Sequence, residues 1–433
     1  GGGIMTTSGP LIETDEIRYA KSLLGQENVV IIGAAGTGKS TLLKEFCADK
    51  KGVVVLAPTG VAALGVGGQT IHSFFGFKPG ITPGKAAHLI PFNPDLYRSI
   101  RLLIIDEVSM VRSDLVDCVS AFLRVYGPCP GEPFGGVRLA FFGDVFQLPP
   151  VKKSEEAPLL KDYSTKYFFD AHSYQGFRHA ELTQPFRQVD PAFLQALNGV
   201  RDGSASDAHL ELFHSRVVPD ASLEHSEDFD MVLTPYRKTA DAENQRVLAS
   251  LPGRETCFTA RIEGYFQGEG PTDQNLVLKP GAKVMLLTNN LPHWSNGTMG
   301  EVIRLVPGPF GGAVVELPSG VQTFIENTTW EQNRYWTDDD GELVQEVAGE
   351  FTQLPLKLAW ASTIHKAQGL TLDRAVVDQR RGMFDSGQLY TALSRLRTLD
   401  GLTLTPRPIR RSDIIVDPKI LEFMGNGKEP VNG

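Results

Sequence analysis

Short runs of aliphatic residues recur through the first 190 or so positions of the chain, and helix-like patterns lie between them. Each run is apolar on both faces, as expected for a parallel strand that is covered by helices on either side. Loops rich in glycine, proline or acidic residues follow the runs, which occupy residues 29–33, 53–58, 102–106 and 138–144. The pattern predicts a doubly wound α/β sheet with its functional loops at the carboxyl ends of the strands.

A second set of apolar runs follows in the other half of the chain, at residues 230–235, 283–288, 358–362, 375–378 and 402–404. Helical patterns at 239–251 and 387–397 separate several of them, which predicts a second α/β domain. Between residues 290 and 350 the pattern changes to short strands joined by Gly/Pro turns, which is typical of a small antiparallel barrel. We therefore expect this β segment to be an insertion within the second α/β domain.

Length and composition narrow the class of protein. A chain of 433 residues is long enough for two or three domains. No apolar run approaches the ~20 residues of a membrane span, and no secretory signal opens the chain, so neither a membrane protein nor a secreted one is expected. The four cysteines form no CxxC pair, which argues against a zinc or iron–sulfur site and favours a reducing, cytoplasmic location.

Charge is unevenly distributed along the chain. The net charge is −9, which argues against a protein that coats nucleic acid through bulk positive charge. Residues 301–350 hold ten acidic and two basic side chains, a net of −8, whereas residues 357–411 hold ten basic and four acidic ones, a net of +6. The later stretch is therefore a candidate surface for a polyanion.

The run Gly-Ala-Ala-Gly-Thr-Gly-Lys-Ser directly follows the first predicted strand and opens a helical pattern. Glycines here let backbone N–H groups close around phosphate oxygens, and the helix N-terminus favours negative charge. We expect Lys39 to neutralise the β- and γ-phosphates of ATP and Ser40 to be a ligand of Mg²⁺. The predicted nucleotide-binding residues are Gly33, Ala34, Ala35, Gly36, Thr37, Gly38, Lys39, Ser40 and Thr41. A glycine-rich turn without a ligand is the alternative.

Acidic and amide side chains follow two further predicted strands. The run Ile-Ile-Asp-Glu-Val-Ser-Met places Asp106 and Glu107 at the end of a buried strand. There Asp106 can hold Mg²⁺, and Glu107 can orient or deprotonate the attacking water. In the run Gly-Asp-Val-Phe-Gln-Leu-Pro-Pro, Gln147 could sense the γ-phosphate. A helix-capping acid pair and a plain turn are the structural alternatives.

In this order and spacing the motifs resemble those of superfamily 1B DNA helicases, most closely the bacterial type of the PIF (petite integration frequency) helicases. The resemblance extends from about residue 29 to residue 404. It continues through Ala-Pro-Thr-Gly-Val-Ala-Ala (57–63), Thr-Ile-His-Ser-Phe-Phe (70–75), Leu-Thr-Gln-Pro-Phe-Arg-Gln (182–188), Ser-Thr-Ile-His-Lys-Ala-Gln-Gly-Leu-Thr (362–371) and Tyr-Thr-Ala-Leu-Ser-Arg-Leu-Arg (390–397). The Gly-Asp-x-x-Gln-Leu-Pro-Pro-Val and Ser-Thr-Ile-His-Lys-Ala-Gln-Gly runs are specific to this group.

The resemblance implies two RecA-like P-loop motor domains with ATP in the cleft between them. The first would span residues 11–185, with a small inserted subdomain at 65–99. The second would span 186–289 and 351–433, interrupted by an SH3-like β-barrel insertion at 290–350. The implied function is a monomeric, ATP- and Mg²⁺-dependent DNA helicase that moves 5′→3′ on single-stranded DNA. It would bind single-strand/duplex junctions and unwind duplex or structured DNA, such as a G-quadruplex, in replication, recombination, repair or telomere maintenance.

Roles for single residues also follow from the resemblance. Arg187 and Arg395 would reach the γ-phosphate from the second motor domain as arginine fingers, and Gly369 would lie against the nucleotide. Small, hydroxyl and basic side chains suit phosphate contacts, and His and Phe can stack on bases. The residues expected on single-stranded DNA are Pro58, Thr59, His72, Phe74, Phe75, Thr363, His365 and Lys366. Surface ion pairs for the arginines, and burial in the core for the aromatic and histidine side chains, are the alternatives.

Two other functions stay open. One is a P-loop kinase or signalling NTPase that does not act on nucleic acid, which would need neither the second set of arginines nor the loop of His365 and Lys366. The other is a nucleic-acid clamp that uses ATP only as a switch, against which Glu107, Arg187 and Arg395 argue. Related helicases often carry a glutamine upstream of the phosphate loop that reads adenine, and residues 11–20 contain none.

Overall fold

The computed structural model of the chain describes residues 13–34, 36–185, 190–219 and 230–427. Within these ranges the strands form two parallel sheets and three antiparallel ones. None of the helices there combines the length and the apolar character that crossing a bilayer requires. The architecture is a mixed α/β fold with a parallel-sheet core, as the sequence predicts.

The first parallel sheet has six strands. They are β1 (Val29–Gly33), β2 (Val53–Ala57), β3 (Gln69–Thr70), β4 (Leu102–Ile105), β5 (Arg138–Gly143) and β6 (Arg178–Leu182). Their order in the sheet is β3-β2-β4-β5-β1-β6. The central strands are almost completely buried, because helices cover both faces of the sheet, and this is why their sequences are apolar without alternation. The four predicted runs of the first half all form strands, within one residue at each end.

Among the described residues, seven α-helices accompany this sheet, namely α1 (Asp15–Leu23), α2 (Lys39–Cys47), α3 (Gly60–Val66), α4 (Ile71–Phe75), α5 (Pro83–His88), α6 (Pro94–Arg98) and α7 (Ser113–Tyr126). Threonine caps start three of the short ones. The hydroxyls of Thr59, Thr70 and Thr82 accept N–H groups of the first turns of α3, α4 and α5. Helices α4 to α6 lie within the predicted small subdomain, 65–99, and α5 and α6 pack on α7.

The second half holds five helices, α8 (Pro191–Asp202), α9 (Asp207–His214), α10 (Arg237–Ser250), α11 (Gln388–Ser394) and α12 (Pro418–Asn426), among its described residues. Its strands are β7 (Met231–Thr234), β8 (Thr256–Thr259), β9 (Arg261–Gly264), β10 (Asn275–Leu278), β11 (Lys283–Leu286), β12 (Met299–Val306), β13 (Gly312–Glu316), β14 (Gln322–Ile325), β15 (Thr328–Thr337), β16 (Leu343–Gln353), β17 (Leu356–Leu358), β18 (Ala361–Thr363), β19 (Ala375–Asp378) and β20 (Leu402–Thr405).

Two kinds of sheet are built from these strands. The second parallel sheet has the order β18-β7-β19-β20, whereas the antiparallel sheets have the orders β14-β13-β12-β11-β17, β15-β16-β9 and β10-β8. The five-stranded antiparallel sheet continues on both sides of the predicted insertion, residues 290–350, since β11 pairs with both β12 and β17. The domain bounds and the SH3-like character of the insertion stay predictions.

The long hairpin of β15 and β16 docks on the first sheet through Tyr335, which is 6% exposed. The Val55 N–H donates to the Tyr335 hydroxyl at 2.9 Å, and the Tyr335 N–H donates to Oε1 of Gln69 at 3.0 Å. The ring also meets Phe74 edge to face, with centroids 5.9 Å apart. The β-rich segment is therefore tied to the core of the first parallel-sheet domain.

Phe74 and Phe75, predicted to stack on DNA bases, lie in the core. They are 3% and 2% exposed. Their rings meet each other at 4.9 Å and also contact Tyr97, while Phe75 contacts Phe122. Since bases cannot reach buried rings, we correct the expected DNA contact of these two residues to a packing role.

Candidate nucleotide and nucleic-acid site

The phosphate loop connects β1 to α2 at the carboxyl edge of the first sheet. Gly36 and Gly38 have φ angles of +80° and +86°, a left-handed conformation that glycine adopts without strain. The Thr37 hydroxyl donates to the Ala34 carbonyl at 2.6 Å, which fixes the turn between them. Lys39 then begins α2, whose first N–H groups have no partner within the helix and can bind phosphate oxygens.

Asp106 and Glu107 follow β4 at the same edge of the sheet. The Asp106 N–H donates to the Leu56 carbonyl at 2.8 Å, so the ladder holds the backbone up to this residue. Glu107 has φ and ψ of 52° and 43°, a left-handed conformation that costs a residue with a Cβ about 1–2 kcal/mol. Burial raises the pKa of Glu107, while the nearby Lys39 ammonium acts in the opposite direction. Strain and a raised carboxyl pKa together are typical of a functional position.

The oxygen donors at this edge suit Mg²⁺. Ser40 lies exposed in the first turn of α2, and Asp106 lies directly after β4. Magnesium is usually held by one or two carboxylates, with phosphate oxygens and water completing its shell. Among the described residues, no group of three or more His, Cys, Asp or Glu side chains could hold a metal ion alone. Ser40 and Asp106 therefore fit a magnesium ion that arrives with a nucleotide.

Gln368, which was not among the predicted site residues, connects loops that follow strands of the two parallel sheets. Gln147 lies in the turn after β5 and is 7% exposed. Gln368, from the loop after β18, donates Nε2–H to Oε1 of Gln147 at 3.4 Å and to Oε2 of Glu107 at 3.2 Å. Gln368 lies within the run 362–371, one of the runs that carry the family resemblance, so the sequence offered a signal for it. Only the fold shows which residues it contacts.

Arg395 is held by backbone carbonyls of the second half of the chain. It directly follows α11, is 4% exposed, and donates to the carbonyls of Thr391 at 3.1 Å and Leu370 at 3.4 Å. Burial lowers the pKa of Arg395, and the negative charge of Glu107 partly opposes that effect. The predicted arginine finger thus lies within electrostatic reach of the predicted catalytic acid.

For the other predicted nucleotide-binding residues, the structure gives a position but no contact that indicates a role. Gly369 is exposed with φ at +82°, and nothing lies within 4 Å of where its Cβ would be, so another molecule can approach its backbone. Thr41 lies in the first turn of α2. Arg187 and Ala35 lie outside the described residues, and their roles stay predictions.

Most of the remaining expected DNA contacts lie at the carboxyl ends of β2 and β18, whereas His72 lies on α4. Pro58 and Thr59 follow β2, where the Thr59 hydroxyl accepts the Ala62 N–H at 3.2 Å and caps α3. Thr363 ends β18, and its hydroxyl accepts the backbone N–H of Lys366 at 3.2 Å. The Lys366 residue is exposed. Each parallel sheet therefore contributes one such loop.

Histidine and lysine protonation set the charge near these loops. Burial lowers the pKa of both His72 and His365, so at neutral pH they act as neutral rings rather than cations. Burial and the charge of Lys366 lower the pKa of Lys357, on β17, to about 8. Lys357 is a second residue that the sequence analysis did not single out.

The basic stretch 357–411 is more neutral in the fold than its composition indicates, because three of its arginines are paired with carboxylates from outside the stretch, while two others pair with carboxylates inside it. The pairs are Arg374 with Asp230 at 2.9 Å, Arg380 with Asp378 at 3.1 Å, Arg397 with Asp373 at 2.9 Å, Arg407 with Asp413 at 2.8 Å and Arg411 with Asp207 at 2.6 Å. A polyanion contact would therefore centre on exposed residues such as Lys366 rather than on the whole stretch.

Comparison with known sequences identifies relatives of this chain. Residues 15–209 match the family described as PIF1-like helicase. The chain is 33% identical over 440 residues to the ATP-dependent DNA helicase Pif1 of Bdellovibrio bacteriovorus, which covers 97% of this chain and 93% of that protein. It is 32% identical over 443 residues to the human (Homo sapiens) ATP-dependent DNA helicase PIF1, covering 97% of this chain but only 64% of that protein. The chain thus spans less than two thirds of the length of its human relative.

Solved structures also match this chain over nearly its full length. Pif1 from Bacteroides sp in complex with ADP-AlF4 matches with a TM-score of 0.85 at 35% identity, over 96% of this chain and 97% of that chain. Bacteroides Pif1 bound to ssDNA matches with a TM-score of 0.66 at 34% identity, again over 96% and 97%. Coverage and identity are nearly equal in the two comparisons, whereas the TM-score to the ssDNA-bound structure is lower.

Proposed function

We propose that this chain, which belongs to the PIF1-like helicase family, is an ATP-dependent DNA helicase that moves along single-stranded DNA. Family membership confirms the resemblance drawn from the motifs, because the Bdellovibrio and Bacteroides relatives match nearly the full length of both partners. The names of these relatives supply the activity. The residues of this chain supply the argument that it can carry that activity out.

For ATP hydrolysis, the chain offers a phosphate cradle and a base at one edge of the first sheet. Lys39 and the first turn of α2 would bind the β- and γ-phosphates. Glu107 would orient the attacking water and hold its proton, and its raised pKa makes it a stronger base than an ordinary carboxylate. Ser40 and Asp106 would hold Mg²⁺, which would supply positive charge to the phosphates. Arg395, and by the same proposal Arg187, would stabilise charge in the transition state.

The observation that carries the proposal is the bridge from Gln368 to Glu107 and Gln147. Gln368 lies three residues after His365 and two after Lys366, in the loop expected on DNA. A kinase or signalling NTPase would have no use for such a link between its catalytic acid and a nucleic-acid loop. The lower similarity to the ssDNA-bound relative supports a motor whose parts rearrange when a strand binds.

Finer features rest on the resemblance and are part of the proposal. They are 5′→3′ movement, action at single-strand/duplex junctions and on structured DNA such as a G-quadruplex, a monomeric state and a cytoplasmic location. The motor domains would occupy 11–185 and 186–289 with 351–433. The subdomain 65–99 would belong to the first motor domain, and the β insertion 290–350 would guide and separate strands. Pro58, Thr59, His72, Thr363, His365 and Lys366 would contact the strand.

Steady-state ATPase activity with and without single-stranded DNA tests the function, followed by unwinding of duplexes with 5′ or 3′ tails. We expect DNA to stimulate turnover, 5′-tailed duplexes to be unwound, and Lys39→Ala to abolish both activities while the protein still folds. Turnover that ignores DNA would favour the kinase or signalling NTPase, and nucleotide binding without turnover would favour the clamp. Wild-type activity in a folded Lys39→Ala protein would remove the phosphate loop from the mechanism.

A further inference from the structure

A buried ion pair joins the two parallel-sheet domains beside the proposed nucleotide site. Asp144 directly follows β5 and is completely buried, at 0% exposure. Arg201, in the last turn of α8, donates from Nη2 to Oδ1 of Asp144 at 2.9 Å and from Nε to Oδ2 at 3.1 Å. Its guanidinium also lies over the Phe146 ring, 4.5 Å from the centroid. Neither Asp144 nor Arg201 has a role in the function proposed above.

The Asp144 carboxylate shapes the turn that carries Gln147. The Phe146 N–H donates to Oδ1 of Asp144 at 3.1 Å, and the Gln147 N–H donates to the Asp144 carbonyl at 3.1 Å. The position of the Gln147 amide, which meets Gln368, therefore depends on how Asp144 is held. Two contacts hold the turn from outside, one at the Asp144 carboxylate through Arg201 and one at the turn's backbone, and both come from the second half of the chain.

Helix α11 supplies the second contact. Gly387 precedes α11 with φ at +77°, and a Cβ there would lie 2.2 Å from the Gln147 carbonyl oxygen and 2.5 Å from that of Phe146. Tyr390, on α11, is 4% exposed, and burial together with the charge of Asp144 raises the pKa of its hydroxyl. Since α11 leads directly into Arg395, the Gln147 turn lies between Arg201 and the start of the helix that carries the arginine finger.

We propose that Arg201 is a positioning residue for ATP hydrolysis, which acts through Asp144 to keep the Gln147 turn and the Arg395 helix in register. The proposal rests on the function proposed above, because it requires ATP turnover at this site. An ionised carboxylate that is fully buried depends on its partner, so the cleft resists any movement that separates Arg201 from Asp144. Helix α8 packs on α11, and the pair thereby couples the γ-phosphate sensor of one domain to the arginine of the other.

Steady-state kinetics of three variants, Arg201→Gln, Asp144→Asn and the double variant, test the proposal. We expect each to lower the DNA-stimulated kcat roughly 2- to 30-fold while the KM for ATP changes little, because the pair acts on alignment rather than on nucleotide affinity. The double variant leaves no unpaired buried charge, so it should regain thermal stability without regaining kcat. Gly387→Ala should also lower kcat, since the added methyl must displace the Gln147 carbonyl.

A matched control exists in the second half of the chain. Arg407 and Asp413 form a similar two-bond pair, at 2.8 and 3.0 Å, with side chains 16% and 4% exposed. Arg407→Gln should lower the melting temperature and leave the kcat of the folded protein unchanged. This separates an ion pair that only stabilises the fold from one that also aligns the site.

Each result decides the proposal. If Arg201→Gln, or the double variant where the single one does not fold, turns over ATP at the wild-type kcat, the pair is only structural and the proposal is wrong. Equal losses of kcat in Arg201→Gln and Arg407→Gln would also overturn it. Wild-type protein that does not hydrolyse ATP would refute the proposed function first, and Arg201 would then have nothing to position.

Discussion

Removing one hydroxyl, by Tyr335→Phe, should loosen the docking of the β15–β16 hairpin on the first sheet. The Tyr335 hydroxyl accepts the Val55 N–H at 2.9 Å, and both residues are buried. The adjacent strand β3 pairs only with Leu56 and Ala57, so the ladder on that side ends before Val55. The hydroxyl therefore replaces a missing strand partner, and phenylalanine would leave the N–H unsatisfied.

The Val55 N–H sets the magnitude, because the other contact of the hydroxyl, its donation to the Val55 carbonyl at 3.5 Å, is long and weak. A buried N–H that loses its partner costs about 1–3 kcal/mol, while the packing of the ring on Phe74 is kept. Because about 1.4 kcal/mol corresponds to a tenfold change in an equilibrium constant, the undocked population should rise roughly 5- to 150-fold. If undocking exposes Val55 without unfolding the sheet, hydrogen exchange at its amide should accelerate by the same factor.

Hydrogen–deuterium exchange read at Val55, together with thermal unfolding, measures this effect. Tyr265→Phe is the matched control, because Tyr265 is 74% exposed and its hydroxyl can be replaced by water. We expect the control to exchange and melt like the wild type. Unchanged exchange at Val55 in Tyr335→Phe, with an unchanged melting temperature, would refute the argument that this hydroxyl completes the strand.

Three further predictions concern the proposed site. Glu107→Gln should keep ATP binding but lower kcat by a factor of roughly 100 or more, because the amide cannot accept the proton of the attacking water. Single-turnover kinetics measures this step, and a much smaller loss would show that Glu107 is not the base. The pKa of Lys357 is about 8 in the fold, below the ordinary lysine value of about 10.4, so the unfolded chain binds the extra proton between those values. Stability should therefore rise with pH across that interval, and Lys357→Met should be more stable than the wild type at pH 7 and lose this dependence in denaturant titrations. The double variant His365→Ala/Lys366→Ala should weaken single-stranded DNA binding equally across sequences. The salt dependence of binding should fall by about one counterion, since only the lysine is charged at neutral pH. An unchanged salt dependence would show that this loop does not contact the DNA strand.

The sequence by itself determined the features of this protein that depend on residues close together in the chain. The runs 29–33, 102–106 and 138–144 are apolar on both faces, because a strand buried between two layers of helices meets apolar side chains on each face. The phosphate loop was equally evident, because a left-handed turn at Gly36 and Gly38 can be read from glycine spacing alone. Family membership followed from the order of such local motifs along the chain.

Tertiary structure decided what depends on residues distant in sequence. Two adjacent phenylalanines, Phe74 and Phe75, suit a DNA surface or a core equally well, and only the neighbouring rings show that they are buried. Gln368 reaches Glu107 across 261 positions, and no periodicity in the sequence records that contact. The same is true of Arg201, an ordinary helix residue by sequence, which becomes a buried partner because α8 lies against the end of β5 in the first parallel sheet. Burial and pairing of this kind depend on which distant surface covers a side chain, and a local pattern carries no information about that surface.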